Sequence, residues 1–158
     1  MVSDVASLIS KLADPSVSRI VVASGHYALT AELHVTRAVT IEAAVPGSVV
    51  LDAQASSSDQ RRVLNINPSS GSDVVELVGL NVTGGYTCFA LGGGGGILIS
   101  TAQVTLTQIN VYSNAVSLSG CCMGSSRGGG GVLINSGTVT LDSCMILGVT
   151  TQSGTRGV

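Results

Sequence analysis

The chain has 158 residues, of which 44% are hydrophobic and only 10% charged, with 7 basic against 9 acidic side chains and a net charge of −2. No run approaches the roughly 20 apolar residues needed to span a bilayer, which excludes a membrane-spanning helix. Lys11 is the single lysine, so there is no basic stripe to neutralise phosphates, which argues against a nucleic-acid partner. One domain over 1–158 is expected, since a chain of this size removes roughly 70% of its unfolded surface from water. Tyr27, Tyr86, Tyr112 and Phe89 are the only aromatic residues. Aliphatic side chains must therefore fill the interior, which favours thin, repetitive layers.

In chain order, residues 3–13, "SDVASLISKLA", carry Val5, Leu8, Ile9 and Leu12 at helical spacing. Ser3 is the expected N-cap and Pro15 stands just past the end, so the pattern predicts a short amphipathic helix that covers the first coil of the strands after it. With an acid at position 4 and no apolar stretch of roughly 7–15 residues, the N-terminus does not read as a secretory signal.

From residue 19, "RIVVASGHYALTAELHVTRAVTIEAAVPGSVVLDA" is a series of short strands separated by Gly, Ala and Pro corners. His26 is expected in a turn and His34 at an outward strand position. Asp52 stands where a strand meets a corner, a place for capping backbone amides. Arg61 and Arg62 follow "SSSDQ" and serve either to grip an acidic sugar or to solubilise a loop.

The stretches "GGGGGILISTAQVTLTQINV" at 92–111 and "GGGGVLINSGTVTLDSCMI" at 128–146 are copies of one another. An offset of 35 puts Gly96 on Gly131, Leu98 on Leu133, Val104 on Val139, Leu106 on Leu141, Ile109 on Cys144 and Val111 on Ile146. An offset of 29 puts Val75, Leu77, Leu80 and Val82 under Val104, Leu106, Ile109 and Val111. Each copy reads V-x-L-x-x-I-x-V, period two with one slipped residue, which is a strand that bends once and not a helix. Short bent strands that recur at variable spacing with a preserved apolar register predict an all-β parallel β-helix of about four or five coils, running from 19 to 158 behind the capping helix. Outward residues then stack in rows, Thr105 beside Thr140 and Asn81 beside Asn110, while the glycines serve the corners. Residues 152–158, "QSGTRGV", resemble "GSSRGGGGV" and read as the opening of another coil, which makes the chain a fragment or leaves an open end for assembly.

"IVVASGHYALTAELHVTRAVTI", "VVLDA", "RVLNI" and "VVELVGLNVTGG" together resemble the opening coils of right-handed parallel β-helix proteins of the pectin-lyase-like superfamily. The block at 128–146 is similar to the glycine-rich repeats of polymorphic outer-membrane-protein type. The resemblance implies a right-handed solenoid. Its polysaccharide-cleaving members place clustered aspartates with an arginine or lysine, some with calcium, on the outer face of one sheet. Here the acids are scattered, with no Asp-Asp pair.

The best carboxylate geometry is Glu42 with Glu76, on adjacent coils in neighbouring outward rows. That puts them on the order of 8 Å apart, within reach of inverting-glycosidase chemistry but equally two solvated surface acids. No G-x-S-x-G elbow exists, the glycine runs lack the Lys-Ser/Thr of a phosphate loop, and no histidine has a cysteine or acid at metal-ligand spacing, so no cofactor is expected. Cys144 takes an inward position and is expected to be a buried, inert thiol. Cys88 and the Cys121, Cys122 pair fall in equivalent loops, where stacking makes a bridge reasonable, and Asn81-Val82-Thr83 is a glycosylation sequon at an outward strand position. Both point to an extracellular or cell-surface protein. The expected function is a non-catalytic structural or binding module, contacting carbohydrate or assembling end to end. The rival is a polysaccharide lyase or hydrolase whose active-site coils lie partly outside this chain. Ice binding through threonine rows is disfavoured because Glu76, Val78 and Asp142 interrupt them.

Overall fold

The computed structural model describes residues 1–88, 93–117, 129–147 and 150–152. The alternation read from the sequence appears directly in burial. In the strand Gln103–Thr107, Val104 and Leu106 are buried, while Gln103 is exposed and Thr105 and Thr107 are half-buried. A face this apolar must be covered, and it is covered by the equivalent positions of the layers before and after it.

The first layer consists of β1 (Arg19–Val22), β2 (Gly25–Ala28) and β3 (Leu33–Val35), the second of β4 (Val39–Ala43), β5 (Val49–Asp52) and β6 (Leu64–Ile66). The third runs through β7 (Val74–Val78), β8 (Leu80–Thr83), β9 (Tyr86–Cys88) and β10 (Ile97–Ile99). The fourth has β11 (Gln103–Thr107), β12 (Asn110–Tyr112), β13 (Ala115–Ser117) and β14 (Val132–Ile134), and β15 (Thr138–Asp142), β16 (Met145–Leu147) and β17 (Thr150–Gln152) come after it. The faces are four parallel sheets: β1-β4-β7-β11-β15, β2-β5-β8-β12-β16, β3-β6-β10-β14 and β9-β13-β17. The expected register holds at both offsets, with Val104 paired to Val75 below and Val139 above, and Ile97 paired to Val132.

This is an all-β parallel β-solenoid with one short N-terminal helix. Counted by strands on its fourth face it makes about three turns, fewer than the four or five expected. The reason is that the first two layers cross that face as loops, and a loop leaves the same apolar footprint on either side of it as a strand does. One aliphatic core runs up the stack from Val2 and Leu8 to Val111, with Val132, Val139 and Cys144 partly buried against it.

The slipped residue of each repeat is a left-handed corner. Gly79, Gln108 and Ser143 have φ of 69°, 54° and 54°, and each turns the chain from the first sheet into the second. Gln108 and Ser143 accept the roughly 1–2 kcal/mol cost of that conformation. Gly79 has no alternative, because a Cβ there would lie 2.8 Å from the Pro46 Cα of the corner folded against it. The glycine runs serve a different need. A Cβ on Gly95 would lie 2.4 Å from Ala115 O, and one on Gly96 would lie 2.5 Å from Gly131 O. Stacked backbone fills the space where side chains would stand.

Asn114, wholly buried, ties the third layer to the fourth. Its Oδ1 accepts from Gly85 N at 2.9 Å, and its Nδ2 donates to the Val82 and Tyr112 carbonyls at 3.0 Å each. The bends at Gly84 and Ser113, with φ of 71° and 52°, take these backbone groups out of the regular ladder, and the amide replaces the missing partners.

At the start of the stack, α1 (Val5–Ala13) buries Leu8 and Leu12 against the first layer. Its N-cap is Asp4 rather than Ser3. The Asp4 carboxylate accepts from the Ser7 N–H at 2.7 Å and from the Ser7 hydroxyl at 2.8 Å. Arg37 closes the other end, donating to the carbonyls of Lys11 at 2.9 Å and Leu12 at 3.1 Å. Val2 pairs with Val22 along the outer edge of β1, its N–H donating to Val21 O at 2.8 Å and its carbonyl accepting from Ala23 N at 2.8 Å. No helix among the described residues is long and apolar enough to cross a membrane.

These contacts carry two expected outcomes. Replacing Asn114 with Ala orphans a buried N–H and two carbonyls, at about 1–3 kcal/mol for each group left unsatisfied, and urea unfolding should show a lower midpoint with an unchanged slope. The Asp4 carboxyl is held below the ordinary value of 3.8 by the Ser7 amide and hydroxyl. A depressed folded-state value means that the cap stabilises above pH 3.8 and is lost as the pH falls further. Asp4→Ala should therefore lower the thermal midpoint at pH 7, with the gap to wild type closing on acidification.

Candidate functional site

The first sheet carries the outward rows on which carboxylate chemistry was expected. Arg19, Thr40, Glu76, Thr105 and Thr140 stack in one row, and Val21, Glu42, Val78, Thr107 and Asp142 in the next. Glu42 and Glu76 thus lie on adjacent strands in neighbouring rows, as the repeat predicts. Each is occupied separately. Glu42 Oε1 accepts from Arg19 Nη2 at 2.7 Å, and Glu76 Oε2 accepts from the Thr40 hydroxyl at 2.9 Å. These are two structural contacts between neighbouring strands, each tying one layer to the next.

On the second sheet the outward row is covered at Asn81, while His26 and Met145 in the same row are exposed. Asn81 is 7% exposed, and its Nδ2 donates to Gly47 O at 2.8 Å and Val49 O at 3.0 Å, while its Oδ1 accepts from Asn110 Nδ2 at 2.8 Å. The corner between β4 and β5 folds back over Asn81, which no periodicity announces. The nitrogen that a glycan would need is already the donor of two hydrogen bonds.

His26 is not in a turn. It stands at an exposed position of β2, with Nε2 2.9 Å from Asp52 Oδ2. Asp52 caps as expected, its Oδ1 accepting from Gln54 N at 2.9 Å, and so one carboxylate holds both a corner and a histidine. His34 is exposed on β3 as expected, with Nε2 3.4 Å from Glu32 Oε1. His26 therefore gains an acidic neighbour distant in sequence, whereas that of His34 stands two residues before it.

Arg61 and Arg62 are not a solvated loop. Arg61 pairs with Asp59 and donates to Leu29 O at 3.2 Å and Ala53 O at 2.8 Å. Arg62 is only 7% exposed. Its Nη1 lies 3.1 Å from Glu32 Oε2, and its Nη2 donates to Gly93 O at 3.2 Å. Glu32, which the sequence did not single out, is the hub here, because its Oε1 also accepts from Asn65 Nδ2 at 3.0 Å. The chain Glu32, Arg62, Gly93 spans the first three layers. A carboxylate and a guanidinium this deep offset their desolvation only through such pairing.

Cys88 is buried on β9, where its neighbour in register is Ser117. It lies on a strand and not in a loop, and Cys121 and Cys122 fall outside the described residues. Cys144 is half-buried rather than buried, its thiol donating to Leu106 O at 3.1 Å, because nothing described lies above its layer.

Two clefts meet at Glu32. One, of about 370 Å³, is apolar and runs between α1 and β3, lined by Ile9, Leu12, Ala31 and Leu33 among others. The other, of about 210 Å³, is polar and lined by Glu32, Gln60, Arg61, Arg62 and Thr87. Glu32 thus lines two clefts, and in the polar one it converges with two arginines.

The chain matches no protein-family model, no curated protein and no solved structure.

The burial of Asn81 has a measurable consequence. Folded protein secreted from a glycosylating host should have the intact mass of the bare chain at this sequon, and a glycan found on Asn81 of folded protein would contradict the ladder.

Proposed function

We propose that this chain is a non-catalytic structural module of a secreted or cell-surface protein, a stack whose open end receives a further β-layer. The observation that carries the reading is the difference between the two ends. At the N-terminal end α1 and Val2 cover the first layer, and Ile20 and Val22 are at most 2% exposed. In the last layer Leu141 and Ile146 are 50% and 44% exposed, where their equivalents one layer down, Leu106 and Val111, are each 1% exposed. Met145 and Leu147, at the outward positions of β16, are exposed as well. A layer laid over this end would bury the side chains and pair the free strand edges at once.

Identical copies stacked head to tail are disfavoured, since α1 occupies the end that would be presented. The partner is the matching open end of a second copy. Within the pectin-lyase-like class, the finer assignment we favour, the reading fits a chain whose outer carboxylates serve the scaffold. The outward threonines of the first sheet, Thr105, Thr107 and Thr140, remain as a polar face for carbohydrate. Against the lyase or hydrolase alternative stands the fact that the two carboxylates have separate partners, Arg19 for Glu42 and Thr40 for Glu76.

Sedimentation velocity across a concentration series tests the assembly reading. Association that rises with concentration and disappears in Ile146→Lys, with unchanged circular dichroism, supports it. A monomer throughout the micromolar range, for the wild-type chain, overturns it.

A further inference from the structure

The cleft around Glu32 has no part in that assembly, and its chemistry is specific. Its charges are matched internally, Arg62 with Glu32 and Arg61 with Asp59. An ion is therefore not what the site lacks. Thr87, at the wall of the polar cleft, is 0% exposed, and its hydroxyl has no hydrogen-bond partner among the described residues. Gln60 spends its Nε2 on Ser57 O and keeps its Oε1 as an acceptor. Buried polar groups are ordinarily satisfied, so the unmet Thr87 hydroxyl, with the Gln60 amide oxygen on the exposed lip of the same cleft, describes a missing neutral partner that both donates and accepts.

We propose that this cleft binds a neutral sugar unit. Vicinal hydroxyls match an array of hydroxyl, amide oxygen and carboxylate, and about 210 Å³ of polar space accommodates one ring. The apolar cleft on the other side of Glu32 then takes the C–H face of a neighbouring unit against Leu33 and Ile9. A charged sugar is disfavoured, since it would set its carboxylate against Glu32 or compete for a guanidinium already paired. The site stands or falls independently of the open end.

Titration of the ¹⁵N-labelled full chain with the methyl glycosides of glucose, galactose and mannose, and with galacturonate, followed by NMR, tests this. The expected result is a saturable shift of the Glu32, Gln60, Arg61 and Thr87 amides with at least one neutral glycoside, and a weaker response to galacturonate. Thr87→Val keeps the side-chain shape and removes the hydroxyl. It should weaken that binding roughly fivefold, about one hydrogen bond, while leaving the thermal midpoint equal or higher because the hydroxyl has no partner in the free protein. Gln60→Ala, on the exposed lip, provides a second variant, and Ile146→Lys should bind as wild type. No saturable shift at these residues, tighter binding of galacturonate, or undiminished binding by Thr87→Val would each overturn the proposal.

Discussion

Everything in this protein depends on parallel strands pairing in register from one layer to the next. In such a stack each residue lies directly over its equivalent, so one inward leucine or valine guarantees the next a partner, and one outward polar residue sets the row above it. The column Ile41, Leu77, Leu106, Leu141 is that constraint made visible, going from at most 2% exposed in the first three to 50% in the last, which has no further strand above it among the described residues. Aliphatic residues suffice because each layer is thin and the filling repeats. Aromatic side chains, which would need irregular space, are almost absent.

A stack of flat ladders leaves its difficulties at the corners, where strands bend and backbone groups lose their regular partners. The polar interior is concentrated there. Asn114 meets the bends at Gly84 and Ser113, and Asn81 collects the carbonyls of Gly47 and Val49. Arg62 reaches from Glu32 in the first layer to Gly93 in the third. These side chains bond between layers more than within one, so they fix the stacking of corners that hydrophobic register alone would leave loose. The glycine runs belong to the same problem, bringing backbone against backbone where a Cβ would collide.

Such a scaffold separates three surfaces by physics. Its flat outer faces carry rows of side chains that serve neighbouring layers, which is where Glu42 and Glu76 fall. Its ends are unsatisfied by construction, and one of them is covered by α1. Concavity arises only where something irregular lies beside a sheet, as α1 and the loop carrying Gln60 and Arg61 do at Glu32. That is where unpaired polar capacity survives.

The sequence by itself determined a short N-terminal helix within residues 3–13, the inward positions, the slip at Gln108 and the register at offsets of 29 and 35, because all of these come from local periodicity and from like stacking on like. It also placed Glu42 and Glu76 in their rows. What only the tertiary structure decided was the fate of residues facing corners of unequal length. The fold-back of residues 44–48 buries Asn81, the loop before β6 carries Arg62 inward to Glu32, and His26 meets Asp52 from the layer above. Corners have no period, so neither their length nor their path is written in the repeat. An outward position is exposed or buried according to what happens to fold across it.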